Sequence, residues 1–441
     1  MTALFHRRCD ADLPTAATGD GCYIVDSSGK RYLDSCGGAA VSCLGHSFDP
    51  VKAAMTEQLG SLPFAHTSFF TTDAAESMAR LLIEHAPPQI TRVYPLSGGS
   101  EAVEAAIKLA RQFFVETNAP ERHKIIARRQ SYHGNTIGAL AAGGNQWRRE
   151  PFTSLLMETS HIAPCYEYRD RLPDESAWAY GQRVANELEA EIQRLGPETV
   201  MAFIAEPVVG ATAGAVPPVP GYFKRIREIC DEYGVLLILD EVMCGMGRTG
   251  KLFASEHEEI APDIVTIAKG LGAGYQPVGA MLCSERIHDT IAHGSGFFQH
   301  GHTYLAHPIA MAAAGAVIEA IIAPGLLDQV RTSGDRLQSL LEEYLGDHPH
   351  VGDIRGRGLF RAIELVHSKS TKAPFDPDQR LHQKIKRAGM EAGLMCYPMG
   401  GTVDGKRGDH VLLAPPFIAE EEDLREIAKR LAESIDSALS Q

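Results

Sequence analysis

Val235-Leu236-Leu237-Ile238-Leu239-Asp240-Glu241 is an unbroken apolar run closed by two carboxylates, and its reading decides the fold. A run of this kind is a strand buried on both faces, as in parallel sheets covered by helices. The segments around it should therefore alternate between strand and helix. Short β-branched runs at 91–96, 124–130, 161–165, 201–208, 235–242, 263–268 and 278–284 meet that requirement, with amphipathic stretches at 100–117, 175–195 and 222–233 between them. The pattern predicts an α/β fold with a mostly parallel sheet. Ligands of such sheets gather at the carboxyl ends of the strands.

From about residue 306 the pattern changes. A long helical stretch leads to the glycine-containing segment 351–358, which reads as turn-rich, and a closing helix starts near Glu420. At the other end, 21–33 reads as a hairpin with Ser28-Gly29 at its turn. The two ends are candidates for one smaller domain, although nothing in the sequence forces them to meet. The apolar stretch 304–327 is interrupted by Glu319, Pro324 and Gly325, which favours a buried helix over a membrane span.

Composition narrows the partners. A formal charge of −14 disfavours a nucleic-acid groove as the main surface, because such a groove concentrates Lys and Arg. The nine cysteines form no CxxC pair, and the opening MTALFHRRCDADLP lacks the apolar core of a secretory signal. Both point to a cytoplasmic protein with reduced thiols. The histidines show no HExxH and no Cys/His spacing for zinc, so no metal is expected.

Chemistry concentrates at the strand ends. Ser97-Gly98-Gly99-Ser100-Glu101 is either a phosphate-binding turn at a helix start or simply a capped helix with an acidic first turn. Asp240 ends a buried strand, where a carboxylate is costly unless it meets a cation or several donors. A protonated pyridine nitrogen is one such partner, and a strand end at solvent is the plainer alternative. Asp263-Ile-Val-Thr-Ile-Ala-Lys269-Gly270 runs an apolar strand into a lysine and a glycine-rich loop, so Lys269 points into a cleft. A desolvated amine has a lowered pKa, as a Schiff-base nucleophile requires. Tyr132, in Ser131-Tyr132-His133-Gly134, is a ring to cover a flat cofactor or else a core aromatic. Glu206 sits at a further strand end, in Ala205-Glu206-Pro207.

Gly245-Met246-Gly247-Arg248-Thr249-Gly250-Lys251 matches GxGxxG and the start of a P-loop. The first match lacks the acidic strand end expected about 20 residues on, and the second fails at Leu252, where Ser or Thr would reach Mg²⁺. The segment reads as a flexible loop. A nucleotide-binding protein using 245–251 stands as the alternative from another class.

Taken in order, SGGSEAVEAAIKLAR, SYHGNT, AEPVVG, LILDEVMCGMGRTG, TIAKGLGAGYQPVGA and HGHTYLAHP resemble the class III (omega-type) aminotransferases over nearly the whole chain. The resemblance implies pyridoxal phosphate (PLP) as cofactor and the PLP fold type I. That fold has a large domain with a mostly parallel seven-stranded sheet and a small α+β domain from both chain ends. It places the small domain at 1–60 and 306–441 and the large domain at 61–305. It assigns Lys269 to the Schiff base and proton transfer, Asp240 to the pyridine nitrogen, and Val242 and Tyr132 to the two ring faces. Gly99 and Ser100 match the phosphate site, and Glu206 a position beside the active site. Thr303 matches a residue that reaches the phosphate of a neighbouring subunit, which implies a homodimer or a dimer of dimers.

The same resemblance implies ping-pong transfer of an amino group from an amine or omega-amino acid to a keto acid, with pyruvate expected. A lyase, decarboxylase or racemase on the same scaffold would share Lys269 and Asp240. Family members using ornithine or 4-aminobutyrate place Arg before an aromatic-small-Pro-Pro segment; here Leu412 stands at that position. Arg407 either matches the mobile arginine of pyruvate-dependent omega-transaminases or is a solvated loop arginine. Tyr23, Phe64 and Phe69 are candidates for the substrate mouth.

Overall fold

The computed structural model describes residues 3–440. Its central sheet has seven strands: β1 (Ile90–Leu96), β2 (Lys124–Arg128), β3 (Thr159–Ile162), β4 (Val200–Ala205), β5 (Leu236–Asp240), β6 (Ile264–Ile267) and β7 (Gly279–Ser284). The spatial order is β1-β7-β6-β5-β4-β2-β3. Only β7 runs against the rest, antiparallel to both β6 and β1. The expected mostly parallel sheet is present; β3 lies two residues earlier than its β-branched run suggested.

Every residue of β5 is buried, as its apolar run requires. Side-chain alternation splits the core into two layers. Leu236 and Ile238 join Ile125, Ala202 and helix Gly99–Glu116 on one face. Leu237 and Leu239 join Ile126, Phe203 and helices Ala177–Leu195 and Tyr222–Tyr233 on the other. Clamped between layers, the strands hold their carboxyl ends at fixed positions.

The apolar stretch after residue 304 forms helix Pro308–Ile322, packed on helices Asp49–Ser61 and Asp73–His85. It breaks before helix Leu326–Leu345 with a bend of 69°. Among the described residues no single helix is long and apolar enough to cross a membrane.

The hairpin near the start is present, with Tyr23–Asp26 paired to Arg31–Asp34 and Gly29 at φ +88 in its turn. Arg31–Asp34 also pairs in parallel with Leu394–Met395, so distant parts of the chain share one sheet. Segment 351–358 corrects the turn-rich reading: Val351–Arg357 is a strand paired with Phe360–Leu365. One of its three glycines, Gly356, serves close approach within the hairpin. Gly356 has φ +138, and a Cβ there would stand 2.0 Å from the Phe360 carbonyl oxygen.

The loop 245–251 is also corrected. Its glycines and Arg248 are buried rather than flexible. Arg248 Nη1 donates to the Leu359 carbonyl at 3.2 Å and to that of Pro415, and its guanidinium lies 4.6 Å from the Phe417 ring centroid. Gly247 packs against Ile321 and Phe417. Glu241 stands against Gly245, Ile321 and Phe417 against Gly247, and the Arg331 side chain against Gly250, so no space is left for a nucleotide phosphate at these glycines and the nucleotide reading falls.

Candidate active site

The carboxyl ends of β1, β2, β4, β5 and β6 open on a cavity of about 260 Å³. Gly99, Ser100, Tyr132, Glu206, Asp240, Val242 and Lys269 all line it, although they come from separate segments of the sequence.

Asp240 is 3% exposed. Its carboxylate accepts from the Val242 N–H at 3.0 Å, the Thr266 hydroxyl at 3.3 Å and His133 Nδ1 at 2.8 Å. Such bonds offset the cost of burying a charge. The neighbouring carboxylate has a different task. Glu241 accepts from the Ser255 N–H at 2.9 Å and from that of Ala254, pinning the turn that starts there.

Lys269 follows β6 with φ +47, a left-handed conformation that is uncommon outside glycine. Its Nζ donates to the Ala39 carbonyl at 3.0 Å. Burial pushes the amine below the usual lysine range, Asp240 and Glu206 oppose the shift, and Arg148 adds to it. A lowered amine pKa leaves more neutral nucleophile at a given pH.

At the end of β1, Gly98 caps helix Gly99–Glu116 in extended conformation, leaving the first N–H groups directed outward. A Cβ on Gly99 would come within 2.8 Å of Val242 Cγ1. Only glycine lets this turn lie against Val242. Ser100 Oγ accepts from the Asn135 N–H at 3.0 Å. Tyr132 and Glu206 are linked: the Glu206 carboxylate accepts from the Tyr132 N–H at 3.1 Å and the Gly210 N–H at 2.8 Å. Burial raises the Glu206 pKa.

The remaining candidates stand elsewhere. Tyr23 stands apart from the cavity lining: its hydroxyl bonds Asp423 at 3.2 Å and Arg31 covers its ring, fixing it against helix Glu421–Leu439. Phe64 does not line the cavity but meets the Tyr304 ring, with centroids 6.0 Å apart, while Phe69 is 78% exposed. Thr303 is exposed, on the turn after His302. Arg407 is exposed and donates through Nε to Asp404 at 2.7 Å.

The sequence reading missed His133 as a partner of Asp240, although it is adjacent to Tyr132 in the same motif. Its Nε2 is buried without a hydrogen-bond partner. It also missed Val41, brought to the cavity from the distant N-terminal part of the chain, for which no local pattern gives a signal.

The donor set suits PLP. One buried amine, one carboxylate held by three donors, a glycine turn at a helix start and a ring on the wall answer its aldehyde, ring nitrogen, phosphate and flat face. Fold and site together define a PLP enzyme of fold type I. The family model for class III aminotransferases matches residues 8–435. An uncharacterized aminotransferase of Schizosaccharomyces pombe is 43% identical, covering 99% of this chain and 95% of that protein. Another from Bacillus subtilis is 38% identical over 96% and 95%. The solved omega-transaminase of Pseudomonas jessenii in complex with PMP superposes with a TM-score of 0.91 at 33% identity, covering 97% of this chain and 93% of that one. The chain belongs to the class III aminotransferases, and it is a PLP-dependent enzyme.

Proposed function

We propose that the enzyme transfers an amino group from an amine or omega-amino acid to a keto acid, pyruvate foremost, in two ping-pong half-reactions. The observation that carries this reading is the single cavity in which the desolvated Lys269 amine faces the Asp240 and Glu206 carboxylates. Similarity to an omega-transaminase supports the donor class.

Bound PLP supplies an aldehyde that captures amines and a protonated ring that withdraws electrons from the substrate carbon. Lys269 would hold the cofactor through Nζ, and its free amine would serve as the general base toward the donor carbon. Asp240, its orientation fixed by Thr266, Val242 and His133, keeps the ring nitrogen protonated. Gly99 and Ser100 would hold its phosphate, and Val242 and Tyr132 would hold its ring. Glu206 places Tyr132 through its N–H.

The working unit in this reading is at least a homodimer, with Thr303 completing the phosphate site of the neighbouring subunit. Phe69, Phe70 and Tyr304, exposed by 78%, 69% and 62%, supply apolar surface for such an interface. Arg407, on a loop, is ion-paired with Asp404. The cysteines, all unpaired, suit a reducing cytoplasm.

Single-turnover visible spectra of the holoenzyme test the reaction. Mixing with an amine should bleach the lysine-bound cofactor band and leave the pyridoxamine form, and pyruvate should restore it. Lys269→Ala should abolish the band. Ketone release with no pyridoxamine form would overturn transfer in favour of a lyase.

A further inference from the structure

We propose that Arg148 receives the substrate carboxylate at the mouth of the cavity, and so sets the preference for amino and keto acids over simple amines. The proposal rests on the transaminase reading above and names a residue that decides its specificity.

The guanidinium of Arg148 lies 4.5 Å from the centroid of the Tyr132 ring, and Tyr132 lines the cavity. Stacking engages only the flat face of a guanidinium. The N–H fork at its edge stays available for a planar, bidentate partner. Among the described residues the Arg148 side chain has no ion pair and no hydrogen bond, and its Nε is buried without a partner. A partly desolvated cation without an anion is costly, so the site calls for an anionic ligand.

The other arginines nearby are already engaged. Arg128 donates to the Glu206 carbonyl beneath the cavity wall. Arg149 donates to the carbonyls of Leu140 at 3.1 Å and Gly143 at 2.8 Å. Arg407 already holds Asp404 at 2.7 Å, although its loop packs Gly405 against Gln146 and Trp147, next to Arg148. Arg7 also acts electrostatically on Tyr132, but it is exposed in the N-terminal segment.

Arg148 is held in place as well as unpaired. Asn145 accepts from the Arg148 N–H at 3.3 Å and donates to Gln130 at 3.2 Å. Gln130 in turn donates to the carbonyls of Gly401 at 2.6 Å and Thr402 at 2.9 Å. One anchor therefore fixes Arg148 beside the segment that carries Tyr132. The effect of Arg148 on the Lys269 amine agrees with a charge placed within reach of the reacting groups.

The experiment compares kcat/KM of the PLP-loaded enzyme for 4-aminobutyrate and for butylamine, with pyruvate in excess, and its KM for pyruvate. Arg148→Ala should lower the ratio of the two donors' kcat/KM by roughly 10- to 100-fold, the loss of a charge-assisted hydrogen-bonded contact. KM for pyruvate should rise in the same range, and Arg148→Lys should restore part of both. A structural role would depress both donors alike. Equal losses, or a ratio that moves only in Arg407→Ala or Arg7→Ala, would overturn the assignment. Failure of the transaminase reading is distinct: the unsubstituted enzyme would then give no pyridoxamine form with either donor.

Discussion

Asp240 is a carboxylate that folding removes from water, and three donors hold it in one orientation. The strongest by geometry is His133, whose Nδ1 stands 2.8 Å from Oδ2. A carboxylate that rotates cannot hold a ring nitrogen at a fixed distance, so His133 acts on the chemistry through Asp240. Replacing His133 by Phe should lower kcat about 10-fold, the worth of one hydrogen bond to a charged group. His133→Asn, which keeps a donor on a short arm, should recover most of it in steady-state assays. Gly99 shows the same dependence on a single contact, since any side chain there meets Val242.

At the scale of elements, the loop 245–251 is a brace. Burial pushes the Arg248 guanidinium down to about 10, opposed in part by Cys43 and Asp34. It remains charged near neutral pH and ties the loop to carbonyls at Leu359 and Pro415. Arg248→Ala would leave those carbonyls unpaired and open a void beside Phe417. The expected loss is roughly 2–4 kcal/mol of stability. A lower urea midpoint at constant m-value checks it. The hairpin of Val351–Arg357 with Phe360–Leu365 depends on Gly356 in a similar way, through backbone approach rather than polar contact.

For the whole molecule, buried histidines set the acid limit of stability. Burial lowers His161 from 6.5 to about 4, with Arg149 acting in the same direction. His410 is lowered from 6.5 to about 3, again chiefly by burial. Below pH 6.5 the unfolded chain binds protons that the native state refuses, so stability falls as pH drops. For His161 the loss runs from pH 6.5 to about 4 and amounts to about 3 kcal/mol. His161→Gln keeps a donor for the Ala142 and Gly143 carbonyls and has no proton to gain. Urea unfolding of the holoenzyme should show a shallower decline between pH 6.5 and 4 for this variant; an unchanged slope would remove His161 as the cause.

The sequence by itself determined the strands of the central sheet, their company of helices and the residues at their ends, because apolar runs and strand-end motifs are local patterns. Lys269, Asp240, Tyr132 and the turn at Gly99 were legible for that reason. Tertiary structure decided which side chains meet. Tyr23 went to Asp423, His133 to Asp240, and the glycine-rich loop to the core beside Phe417. A glycine pattern states only that backbone comes close to something; packing selects what that is. Charge follows the same logic. Sequence pointed to Arg407 and passed over Arg148, and only the fold shows that Arg407 has its carboxylate in Asp404 while Arg148 has none.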